Sequence, residues 1–268
     1  MEKKVVFEKK SLFSRIKSML RVDFLRMFKS KLFYILLACA LAMPILMTVM
    51  MSMMDGSVSV NPQTGVETVM HGPENAWQNI GTLPGDKLGG AEIFGMCNIN
   101  MMFMAVAVFI CLFISDDFRS GYAKNLFTVR AKKGDYVVSK TVCGFLCGGL
   151  MLLAYFLGAL LGGAVSSLSF SLHGLSAVNL VMCMLAKMFL MLVFVSIFTL
   201  ISVAAKQRAW LSICGSLGGG MLLFMMVSMI TPLNSTFIHV ILCLAGGAMF
   251  AFGLGAISNV VLKKTSLV

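Results

Sequence analysis

Three histidines, His71, His173 and His239, and eleven carboxylates are the residues with which this 268-residue chain could move protons or hold a metal. Acid–base or metal chemistry needs several such groups to converge in one enclosed place. Here no carboxylate interrupts a long apolar run, and the histidines map to connectors or to the end of a run. The chain has no HExxH helix, no paired glutamates and no Gly-Lys dipeptide, so a Walker A loop that would cradle ATP phosphates is absent. The eight cysteines are scattered, with no CxxC pair. The expectation is a chain that carries no catalytic residue, metal ligand or bound cofactor.

What remains is charge, and it is concentrated. Ser115–Lys140 holds six Lys/Arg against Asp116, Asp117 and Asp135. It separates Ile93–Ile114, uncharged for 22 residues, from Thr141–Ala186, uncharged for 46. Asp116 or Asp117 is expected to cap a short helix. Tyr122, Leu126 and Phe127 fall four or five apart and are expected to face the bilayer or a partner groove. Gly134 is expected to turn the chain into the next span. Elsewhere, Lys187 lies inside or beside an apolar run, and we expect it at the interface with its stem snorkelling. Asn98 and Asn100 are expected within the second span, joining helices or, with Lys187, lining a substrate path.

The elements that position these residues follow from composition. With 59% hydrophobic and 12% charged residues and a mean hydropathy of +0.92, the chain is not a soluble globule. A bilayer core needs roughly 20 apolar residues per helix. Six such helices are predicted: Leu32–Met54, Ile93–Ile114, Thr141 to about Ser166, about Leu180–Ala205, Trp210–Ile230 and Phe237–Leu262. The alternating pattern of a membrane barrel is missing. The fold class is all-α and integral to a membrane, with residues 32–268 as the six-span domain.

The net charge of +11 is a topology signal. In a six-span arrangement 20 of the 22 Lys/Arg fall on one side, whereas the 55–92 connector on the other side holds Lys87 and five acids. Lys and Arg resist translocation, so both termini and the 115–140 loop are expected in the cytoplasm and 55–92 outside. Basic charge so placed attracts anionic lipid and requires no nucleic acid. Before the first span, residues 1–31 are basic, and Leu12–Lys31 reads as an amphipathic helix. Its Phe24 and Phe28 sit on an apolar face, while Arg15 and Arg26 sit among the cations that interrupt it. Such a helix lies in the headgroup region. Gly144, Gly148, Gly158 and Gly162 in the third span predict close helix contacts, within one protomer or between two.

Taken together, six spans, both ends inside, a basic interfacial helix and a structured loop after the second span resemble the membrane subunit of a bacterial type-2 ATP-binding-cassette (ABC) permease. Locally, Asp116/Asp117, then Gly121-Tyr122-Ala123-Lys124-Asn125-Leu126, then Arg130, Asp135-Tyr136 and Lys140 are similar to that family's coupling segment. The resemblance implies two permease subunits, the same or homologous, and two separate cytoplasmic ATPase subunits that carry ATP and Mg. It also implies that Asp116, Asp117, Arg119, Gly121, Tyr122, Lys124, Leu126, Phe127 and Arg130 meet the ATPase, whose closure drives substrate outward across a bacterial plasma membrane. The long connector at 55–92, in place of one between the fifth and sixth spans, is similar to permeases for peptide-antibiotic export or self-protection. It implies a hydrophobic or amphipathic peptide or a lipid-like substrate. A non-transporting scaffold or assembly factor is the alternative. A secondary carrier would show inverted repeats and midplane charges, which are not seen.

Overall fold

The computed structural model describes residues 11–60, 67–69, 72–81, 98–129, 132–172 and 174–264. Leu12–Lys29 forms α1, and Lys31–Met53 forms α2. Met101–Arg119 is α3, Tyr122–Val129 is the short α4, and Gly134–Val165 is α5. Ala177–Ala205, Ala209–Ile230 and Phe237–Lys264 complete the chain as α6, α7 and α8. Six of these, α2, α3, α5, α6, α7 and α8, are long and apolar enough to cross a membrane. In lipid a backbone must satisfy its own polar groups, which is why these apolar runs are helical throughout. Among the described residues the exception to the helical plan is a two-stranded antiparallel ribbon, Val58–Val60 with Glu67–Val69, in register Val58 to Val69.

Burial divides the six into a centre and a periphery. In α3, 61% of the spanning window is buried within the protein, compared with 17% in α7 and in α8. The centre is α3, α5 and α6, joined by side chains such as Phe103 on Phe194, with ring centroids 4.8 Å apart. Around it α2 packs along α5, and α8 along α6. The α2–α5 contact is nearly backbone on backbone. A Cβ at Gly158 would run into the Leu41 carbonyl oxygen, and one at Gly162 would stand 3.0 Å from Ile45 Cα. Pro44 lies in this seam within a continuous α2, and the Thr48 hydroxyl donates to its carbonyl at 2.6 Å. Gly144 and Gly148 likewise meet Val195 and Met191 of α6, so the third-span glycines serve contacts within the protomer. Gly246 and Gly253 in α8 have open space instead.

Several boundaries move from the sequence expectation. The second span starts at Met101 rather than Ile93 and runs on to Arg119, past Asp116 and Asp117. Residues 93–97 lie outside those described. The third span begins at Gly134, so Gly134 starts a helix rather than making a turn. The turn is made at Gly121, with φ of +74°. At the end of the bundle away from the basic loop, Ala76–Asn79 forms one 3-10 turn. Trp77 packs edge-on against Phe170, its indole N–H donating to the Phe170 carbonyl, and the Asn79 amide donates to Thr48. Trp77 is only half-buried; Ala76, Asn79 and Ile80 are the enclosed residues.

Replacing Gly158 by leucine should force α2 off α5. Overpacking costs about 1–3 kcal/mol, and here it should lower the thermal midpoint of the detergent-solubilised protein by several degrees. Gly246→Ala should leave that midpoint unchanged.

Candidate functional site

The charged residues of the sequence's basic end converge between α1, the last turns of α3 and the first turns of α5. The helix α1 begins with Ser11, whose hydroxyl accepts from the Ser14 amide, a standard N-cap arrangement. Met19, Asp23 and Met27, spaced four apart and therefore on one stripe, are buried against α5. The stripe thus carries an acid at its centre. Phe24 packs partly into the core, and Phe28 stays about half exposed, edge-on to Phe33 at 5.6 Å. The helix is consequently docked on the bundle through Asp23 and its neighbours as well as through an apolar face.

Lys140, 2% exposed, is the hub. Its Nζ lies 2.7 Å from Asp23 Oδ1 and 2.7 Å from Asp117 Oδ2. Asp23 also accepts from the Ser139 hydroxyl. Asp117 accepts from the Tyr136 hydroxyl at 2.9 Å and pairs with Arg26 at 2.6 Å. Two acids and two bases therefore cancel inside the protein. Aromatic rings complete the enclosure. Arg26 lies 4.4 Å from the Tyr122 ring centroid, and Lys140 lies 4.0 Å from that of Phe113. Burial opposes the charge on Arg26, but its neighbours, Asp117 first and then Asp23 and Tyr122, together outweigh it, and its pKa rises. Burial, and next the Asp23 charge, push the Tyr122 phenol above its ordinary value, so it stays neutral. A second pair, Arg15 with Asp135 at 3.0 Å, fastens the start of α1 to the start of α5.

The short α4 hangs from this knot. Phe127 is buried, with its ring 5.3 Å from Tyr136, and Ala123 is buried beside it. Leu126 is half-buried against the core. Tyr122, Leu126 and Phe127 thus turn toward the protein's own α1 and α5, where the spacing led us to expect bilayer or a partner. The face left open is polar: Lys124, Asn125 and Thr128. Neither aspartate caps α4, because both belong to α3. Asp117 is enclosed in the knot, whereas Asp116 is exposed and lines a groove with Arg26 and Lys29. Arg119 is exposed, and Arg130 falls outside the described residues.

The candidate path residues lie elsewhere, at the far end of the bundle. Asn98 and Asn100 precede α3, in the turn that opens it, and not within a span. The Asn98 side chain accepts from the Asn100 amide, and Asn100 donates to Ser228 of α7. Lys187 does not snorkel. It is fully buried, and Nζ donates to Asn100 Oδ1 at 2.6 Å and to Thr231 Oγ1 at 3.1 Å. Protein rather than headgroup water solvates it, because α3, α6 and the end of α7 converge on it. His239 holds the first turn of α8 through Thr236, and His71 and His173 are outside the described residues.

Asp23 and Ser139 escaped the sequence reading, and Lys140 entered it only as the end of the family-like segment, without its role as hub. Asp23 is a lone acid within a basic helix, a signal visible only as an exception to its surroundings. Among the described residues no group of three His, Cys, Asp or Glu side chains could hold a metal ion.

The structure defines a multi-pass membrane protein whose basic-end loop is a short helix locked to two spans and to α1. The chain matches the ABC-2 family transporter proteins over residues 19–221 and belongs to that family, the membrane-spanning component of transporters that work with ATPase partners. No curated protein and no solved structure matches it.

Removing Lys140 alone should be severe, because Asp23 and Asp117 would then face each other enclosed. Breaking a buried pair typically costs about 3–5 kcal/mol. Lys140→Met should therefore sharply reduce the amount of folded protein in membranes. Asp23→Asn combined with Lys140→Met should recover part of it. Equal losses in the single and double variants would show that the pairing contributes nothing.

Proposed function

We propose that this chain is the permease subunit of a bacterial ABC exporter in the plasma membrane. Two separate cytoplasmic ATPase subunits, which bind ATP and Mg, dock on the 115–140 loop, and a second permease subunit completes the passage. The substrate is a hydrophobic or amphipathic molecule, peptide or lipid-like, carried outward. The observation that carries this reading is the mounting of α4. It is a short helix fixed by Phe127 and the Asp117–Arg26–Lys140 knot to α3, α5 and α1 together, with Lys124, Asn125 and Thr128 left outward. Three rigidly joined helices must turn as one when that outward face is pushed. The positive-inside rule puts this end of the bundle in the cytoplasm, where an ATPase would be.

The outward face, and not the aromatic one, should then make the ATPase contact. Lys124→Glu with Thr128→Glu should accumulate normally in membranes but lose at least tenfold in permease-stimulated ATP hydrolysis and in export. Asn125→Cys should form a disulfide with an engineered cysteine on the copurifying ATPase. Wild-type stimulation in the double variant would remove the coupling role, and a chain that purifies without an ATPase would favour a scaffold.

A further inference from the structure

On the side of α4 away from α1, the basic end carries a cleft of about 580 Å³ between the end of α3, the start of α4 and the α6–α7 turn. Arg119, Lys124, Lys206 and Arg208 line it, with Gln207 and Leu211. None of these four cations has an ion pair or a side-chain hydrogen bond among the described residues, whereas Arg15, Arg26 and Lys140 in the neighbouring knot are all paired. Asp116, three residues before Arg119 on the same helix, does not line the cleft; it shares a separate groove with Arg119, with no ion pair between them among the described residues. The cleft is also built on a fixed floor. Gln207 donates across to the Phe118 carbonyl, and beneath it Ser212, Ser202, Cys111 and Ser216 form a hydrogen-bonded chain joining α7, α6 and α3. Lys206 is held with φ of +54°, a left-handed conformation that a lysine adopts only under constraint.

Two neighbours of the cleft fix its depth. Trp210, 67% exposed on the first turn of α7, is the residue type that gathers at the headgroup level of a bilayer. Leu211 both lines the cleft and is partly exposed, and it continues into the exposed apolar surface of α7 at Leu217, Met221 and Leu222. A cationic recess at headgroup depth that opens onto an apolar helix face matches a molecule with a negative head and an apolar tail. We infer that this cleft binds the phosphodiester headgroup of an anionic phospholipid, its chains lying along α7. Lys206 and Arg208 contact the phosphate oxygens, Arg fork-wise and Lys as a point charge. Arg119 and Lys124 belong to the loop proposed to meet the ATPase and are left out of this assignment, which rests on Lys206 and Arg208 and on the chain crossing a membrane.

Each cation near an anionic surface contributes about a fivefold preference. The purified full-length chain in nanodiscs of mixed phosphatidylglycerol and phosphatidylcholine should therefore retain phosphatidylglycerol at least tenfold over phosphatidylcholine, as read by native mass spectrometry. Lys206→Gln with Arg208→Gln should abolish that preference. Lys263→Gln with Lys264→Gln, an exposed pair at the same end outside the cleft, should keep it with the same change in net charge. Size-exclusion profiles matching the wild type would confirm that both variants are folded. Equal retention in the two variants would overturn the inference. So would displacement by millimolar inorganic phosphate in the absence of any lipid preference, or loss of ATPase binding as the sole effect of the cleft variant.

Discussion

The basic end of this protein depends on one neutral cluster, Asp23 and Asp117 shared by Lys140 and Arg26. Charges withdrawn from water cost several kcal/mol each before pairing returns any of it. Such a cluster is therefore a weak source of net stability and a strong source of selection. Any arrangement that moves one member by an ångström strands the others. Asp23 comes from α1, Asp117 from α3, and Lys140 from α5, so three helices are held in one relative position. The Ser139 and Tyr136 hydroxyls occupy carboxylate lone pairs that would otherwise be unsatisfied.

That arrangement connects sequence to motion. A helix of eight residues is too short to persist alone in water, and α4 is ordered by the residues it lays inward, Ala123, Leu126 and Phe127. Because Phe127 rests on Tyr136, itself bonded to Asp117, the surface of α4 and the charge cluster are mechanically continuous. The far end of the bundle is organised differently. There Asn100, Lys187 and Thr231 tie α3, α6 and α7 with hydrogen bonds to a single ammonium, and the connectors at Asn75–Asn79 and Ser169–Ser171 close over α2 and α5.

Much of this was legible from hydropathy. The first, fourth, fifth and sixth spans and α1 fall within a few residues of their expected limits, because in lipid the length of an apolar run nearly dictates the helix. The errors share one cause. Hydropathy alone ends the second span at Ile114 because Asp116 and Asp117 are polar, yet α3 continues through both, Arg26 and Lys140 neutralising the buried one. Partners 91 and 23 residues away along the chain leave no trace in a local window. The same blindness put Lys187 in headgroup water, since nothing near it in sequence announces Asn100 or Thr231. The aromatic spacing of α4 marked a face correctly but not what covers it, and self-packing took the place of an outside surface.

The salt bridge from Asp23 to Lys140 spans 117 residues of chain. During synthesis the amino-terminal helix therefore emerges long before its counter-charge exists. Until the third hydrophobic segment has left the ribosome and entered the bilayer, the Asp23 carboxylate has only water and Arg26 of its own helix for partners. The docking of α1 is thus a late step of biogenesis, and a nascent chain truncated before residue 140 would leave that helix open to proteases.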